Sequence, residues 1–187
     1  MCEAEQWEGA LVELKRQSYV PFVRRNATAW KAQIFIGMER YRDVLAMKEE
    51  ARRSACNIDP FLAVANARLG NIDKALRAAS DALRSKQPDA KMALGHVYFA
   101  AQDFDRALVW FEAAAQNRIQ RAGAMRAAGV TLIALGDYRE ARKAFEQAIR
   151  SGPFARREDL IHLAECCRQC HQEGFAAEIE QLAEEKG

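Results

Sequence analysis

Absences narrow the class of this chain before any motif is read. No apolar run approaches the ~20 residues needed to span a bilayer. The opening Met1-Cys2-Glu3-Ala4-Glu5 is acidic, with no apolar segment behind it, so no secretory signal is expected. Ten glycines and four prolines in 187 residues are too few for a collagen-like or low-complexity chain. Charge of one sign is also missing. Twenty-eight basic residues face 26 acidic ones, a net +2, without the basic excess of a nucleic-acid binder. Cysteine is scarce and odd in number, five in all, and Cys166, Cys167 and Cys170 crowd together. That is not a disulfide framework, and a reducing cytoplasm is the expected home. Cys2, directly after Met1, fits either chance or the lipid-bearing start of a mature lipoprotein.

What is present is a hydrophobic half of the chain, enough for a core without metal or disulfide staples. It is arranged in an internal repeat. Leu94-Gly95, Tyr98, Phe104, Ala107, Phe111 and Ala114 align with Ala128-Gly129, Leu132, Tyr138, Ala141, Phe145 and Ala148. Gly95 to Gly129, Ala107 to Ala141 and Phe111 to Phe145 all share one offset. Pro153 closes the second unit. Upstream, Leu62-Ala63, Gly70-Asn71-Ile72, Ala75, Ala79, Ala82 and Pro88 form a third unit. The step from Ala75 to Ala107 is two positions shorter than that offset, and Ala79 replaces the aromatic at Phe111.

This pattern resembles the tetratricopeptide repeat, a helix pair of period 34 with a Leu-Gly, Tyr, Ala, Phe, Ala, Pro signature. Small residues let paired helices cross closely, Gly70 and Gly136 serve tight turns, and Phe111 and Phe145 fill gaps. The resemblance implies an all-α fold, a right-handed α-solenoid of helix pairs. Clear repeats are expected over 57–153, with degenerate pairs at 26–56 and 154–187. Residues 1–25 are expected to hold an amphipathic helix, Glu5 to Arg16, with Trp7, Leu11 and Leu14 on one face. Pro21 is expected to break the chain and Asn26 to cap the next helix. One helix is expected from Arg42 to Arg53, and a last pair at Glu158–His171 and Phe175–Glu185.

The resemblance also implies a concave groove lined by the first helix of each pair. Helical spacing carried onto this chain gives Val64, Met92, His96, Phe99, Arg126, Val130, Ile133 and Leu160 as groove residues. Ala29, Gln33, Ile36, Ala67, Ala164 and Cys167 share those faces. The groove is mostly apolar. Repeats that clamp acidic chaperone tails need Lys and Asn where this chain has Pro60 and Val64. The expected partner is therefore an apolar or amphipathic protein segment, with Met92 and Phe99 as anchors. Trp7, Leu11 and Leu14 could instead fill the groove in cis. The competing expectation is a scaffold subunit, or a self-associating protein that uses its outer face or ends.

The chemistry-bearing cluster is His162-Leu-Ala-Glu-Cys166-Cys167-Arg-Gln-Cys170-His171. Cys167 to His171 matches the C-x-x-C-H haem-attachment string, which requires export. His162, Cys166 and Cys170 recur at every fourth position and suit zinc by type, yet no second Cys/His element exists to complete a site. Packed free cysteines are the plainer reading. No carboxylate pair, phosphate loop or Ser/His/Asp set appears, so no enzyme activity and no cofactor are expected. The doublets Arg24-Arg25, Arg52-Arg53 and Arg156-Arg157, with Arg118, Arg121 and Arg126, read as solvated helix ends or a rim patch for an acidic protein.

Overall fold

The computed structural model describes residues 3–17, 21–152 and 155–185; Cys2 and Pro153 lie outside the described residues. Twelve helices and no strand are found among those residues. They form two compact units, Met1–Ala101 and Gln102–Gly187.

The first unit holds α1 (Glu3–Arg16), α2 (Pro21–Gly37), α3 (Tyr41–Ala46), α4 (Lys48–Arg53), α5 (Asp59–Arg68), α6 (Ile72–Arg84) and α7 (Ala90–Ala100). Pro21 starts a helix rather than breaking the chain, because a first-turn proline forfeits no helical hydrogen bond. Asn26 therefore lies inside α2 rather than at its cap. The helix expected over 42–53 is two short ones meeting at Met47, whose buried side chain joins Val44 and Ala51 in the core. The core of this unit gathers Ala32, Phe35, Val44, Met47, Ile58, Leu62 and Ala65. The α1 helix lies against α2, where the Trp7 ring occupies the space a Cβ on Gly37 would need, 2.5 Å away.

The second unit holds α8 (Phe104–Ala115), α9 (Arg121–Leu135), α10 (Tyr138–Ser151), α11 (Arg157–Gln169) and α12 (Glu173–Glu184). Two helix caps recur at the repeat interval. Asp103 accepts the Arg106 backbone N–H at 3.1 Å, and Asp137 accepts that of Glu140 at 3.2 Å. Between α9 and α10, Gly136 turns the chain with φ 79°, which glycine adopts without a Cβ penalty. The small-residue rule is literal in this hairpin. A Cβ on Gly129 would sit 2.8 Å from the Phe145 ring, which is fully buried.

The last pair follows at a different period. Ala141 and Ala148 recur as Ala176 and Ala183, and Gly129 as Ala164, each one position beyond the repeat interval. Ala164, Ala176 and Ala183 are all buried. The extra residue turns the first helix of this pair by about 100° relative to an unshifted projection.

Candidate functional site

In the first unit, Val64 on α5 and Met92, His96 and Phe99 on α7 remain partly exposed. Met92, His96 and Phe99 share one helix face by their spacing of four and three. Arg68, one turn beyond Val64, belongs with them. Burial, and secondarily the Arg68 charge, lowers the His96 pKa from its usual 6.5 to about 4. The imidazole is therefore neutral at physiological pH and keeps one nitrogen as an acceptor. Arg68 was legible only as the residue four positions after Val64. Ala67, assigned to the same face, is buried instead.

In the second unit the expected groove residues separate. Val130 and Ile133 are half-buried against the core of Phe145, Leu163 and Ala164. The Arg126 guanidinium is engaged by the fully buried Asp159 carboxylate, with Nη2 donating to Oδ2 at 2.7 Å and Nε to Oδ1. This fork joins α9 to α11, so Arg126 is a structural cation rather than a vacant one. Asp159 escaped the sequence reading because an acid in a first helical turn looks like an ordinary dipole partner. Leu160, Ala164 and Cys167 were placed on the groove but are buried in the core. The correction follows from the one added position between α9 and α11, which enters along a longer α10 rather than in the connection. One position further along, Ile161 is 44% exposed and stands where Arg126 stands in α9.

The cysteine cluster resolves into packing. Cys166 and Cys167 are fully buried. Desolvation pushes the Cys166 thiol up to about 12, and the neighbouring Cys167, Cys170 and Glu165 add to the rise. Burial likewise raises Cys167, partly offset by the Arg142 charge. Thiols held protonated this way are poor nucleophiles and poor ligands. His162 stacks on the Phe145 ring, with centroids 5.2 Å apart and planes at 19°. His171 sits beyond the end of α11 in the turn, with φ 59°, off the helical face that carries Cys167. Among the described residues, no group of three or more His, Cys, Asp or Glu side chains is arranged to hold a metal.

One concavity of the second unit was not anticipated. A furrow of about 740 Å³ runs between α8 and α10, floored by α9 through Arg121, Met125, Ala128 and Leu132. By helical spacing this is the side of α9 away from Arg126, Val130 and Ile133. The expected Arg118, Arg121 and Arg126 group is thereby divided. Arg121 lines the furrow and donates to the Ala115 carbonyl at 3.1 Å, while Arg126 faces Asp159. No single-helix pattern could show this feature, because it exists only when two second helices flank a first.

Comparison with known proteins agrees with the helix-pair geometry. Residues 68–148 match a family model described as "Anaphase-promoting complex, cyclosome, subunit 3". The structure of MamA from strain MSR-1 is 20% identical and covers 87% of this chain and 96% of that one, at a TM-score of 0.60. BtubC (BKLC) from P. vanneervenii is 17% identical, with coverage of 99% and 91% and a TM-score of 0.66. A tetratricopeptide repeat protein from Parabacteroides merdae ATCC 43184 is 11% identical, with coverage of 98% and 73% and a TM-score of 0.63. No curated protein sequence matches. The class is all-α, of tetratricopeptide-type helix pairs. The chain has the fold of tetratricopeptide-repeat proteins, and the family model matches the repeat over its middle.

Proposed function

We propose that the protein is a non-enzymatic interaction module, an adaptor or chaperone-like protein, that holds an apolar or amphipathic segment of another protein. The observation that carries this reading is the first-unit face of Val64, Met92, His96 and Phe99, apolar yet left partly open to solvent. Met92 and Phe99 offer adaptable contact area, and a neutral His96 adds no buried charge to that face. The family whose model matches residues 68–148 is described as a subunit of a complex, which supports a protein partner. No helix among the described residues is long and apolar enough to cross a membrane. Free cysteines at 56, 166, 167 and 170 support a reducing, cytoplasmic location.

The test is affinity capture from the native host with wild type beside Phe99→Glu, whose folding is checked by circular dichroism. A partner retained by wild type and lost by the folded variant is the expected result. Equal capture by both would remove the first-unit face from the reading.

A further inference from the structure

The furrow of the second unit is polarised along its length. The α9 helix runs antiparallel to its hairpin partner, so Arg121 at its start lies level with the ends of α8 and α10. That end carries Arg121 and Arg150, and the other carries Leu108 and Leu132, with Lys143 between. Lys143 is bonded to Glu140 at 2.5 Å, which neutralises the acid at the apolar end. Arg121 spends one N–H on Ala115, and Arg150 approaches Glu146 only to 4.0 Å. Both guanidinium groups keep donors for an incoming carboxylate.

The complementary surface is on the same chain. The α12 helix contains no Lys or Arg, and its inner face of Ala176, Ile179 and Ala183 is buried against α11. Glu180 is further tied to Arg168. The outer face is left with Phe175 48% and Leu182 50% exposed, spaced one heptad apart, and with Glu178 and Glu185 beside them. Because α11 fixes that face outward, it can meet a furrow only on another molecule.

We propose that the protein self-associates head to tail, with the outer face of α12 of one copy seated in the α8–α10 furrow of the next. The lengths agree. Phe175 to Glu185 spans about 15 Å of helix, and Leu132 to Arg121 about 16 Å. With α12 running alongside α10, Phe175 meets Leu108 and Leu132, Glu178 meets Lys143, and Glu185 meets Arg121 and Arg150. The contact joins two different surfaces, so it propagates beyond a dimer or closes a ring. Glu112 also lines the furrow, and its charge opposes the incoming acids.

Sedimentation velocity of the full chain over rising concentration reads the outcome. Wild type should grow beyond a dimer and weaken as salt rises from about 0.1 to about 0.5 M. Arg150→Glu alone, and with Arg121→Glu, should weaken association about tenfold or more, as should Glu178→Arg with Glu185→Arg. Mixing the furrow variant with the α12 variant should restore assembly, and Glu112→Gln should tighten it. Circular dichroism checks each fold, and Arg150→Glu leaves the Arg121–Ala115 bond intact. A wild type that stays monomeric at about 100 µM would overturn the proposal, since rim ion pairs with apolar contacts should show by then. Charge-reversed variants that associate like wild type would overturn it equally. The proposal stands apart from the first-unit reading, which Phe99→Glu alone addresses.

Discussion

The α5–α6 and α9–α10 hairpins solve the same packing problem with different residues. In α9–α10, glycine at 129 admits the Phe145 ring, and the ring fills the space that the missing Cβ leaves. In α5–α6, the corresponding positions are Ala63 and Ala79, at the same separation along the chain and again fully buried. A third version stands at Ala164 and Glu180, where the larger partner is polar and binds Arg168. The signature position is therefore one half of a matched volume. A small residue accepts a ring, an alanine accepts an alanine, and where neither applies the second residue turns to an ion pair. A missing aromatic does not mean a missing repeat, provided its counterpart changes with it.

Breaking the ring side of that comparison should have the largest effect. Phe145→Ala should cost about 3–5 kcal/mol in denaturant unfolding, because it opens a cavity under Gly129 and strips the His162 stack. Gly129→Ala, harmful in the wild type, should cost measurably less in the Phe145→Ala background. Strict additivity of the two would show that ring and glycine are not a matched pair. The converse sharpens the point in the first unit. Ala79→Phe adds a ring opposite an alanine and should destabilise by about 1–3 kcal/mol, with partial rescue by Ala63→Gly.

The two units should also differ in their response to acid. His96 has a folded pKa of about 4 against 6.5 in the unfolded chain. The unfolded state takes up the proton first, so the stabilisation from neutral His96 is complete above about pH 6.5 and declines as pH falls toward 4. Thermal unfolding between those limits should flatten in His96→Gln. An unchanged slope would mean that other groups carry the acid response. The smallest effect belongs to the turns. Gly136 takes φ 79° freely, whereas His171 holds φ 59° with a side chain. His171→Gly should raise stability by about 0.5–1 kcal/mol, and a loss would show that the imidazole has a role beyond the turn.

The repeat could be read from residues because glycine, alanine and aromatic positions are matched in volume at a fixed spacing. Helix existence was legible almost throughout, whereas several boundaries shifted. Pro21 deceived because the same residue can end one element or open the next, depending on the stretch that comes after it. On α5 and α7 the helical period marked Val64, Met92, His96 and Phe99, which stay partly exposed, but also Ala67, which is buried. The α11 face was not legible, because one position added beyond the repeat interval rotates every later side chain. Leu160 and Ile161 then exchange roles although each satisfies the local pattern.

The linear chain alone settles the class of the molecule: helix pairs, their order, and a core built on small residues facing rings. Those properties follow from local periodicity and volume, which a sequence carries in full. Which polar groups are engaged and which surfaces stay open is settled only when the helices pack together. Arg126 became a structural cation because Asp159, distant in the chain, lies 2.7 Å away in space. Cys166 and Cys167 became inert because neighbouring helices exclude water from them. The furrow between α8 and α10 arose because it belongs to three helices at once, and no single helix holds the information that makes it.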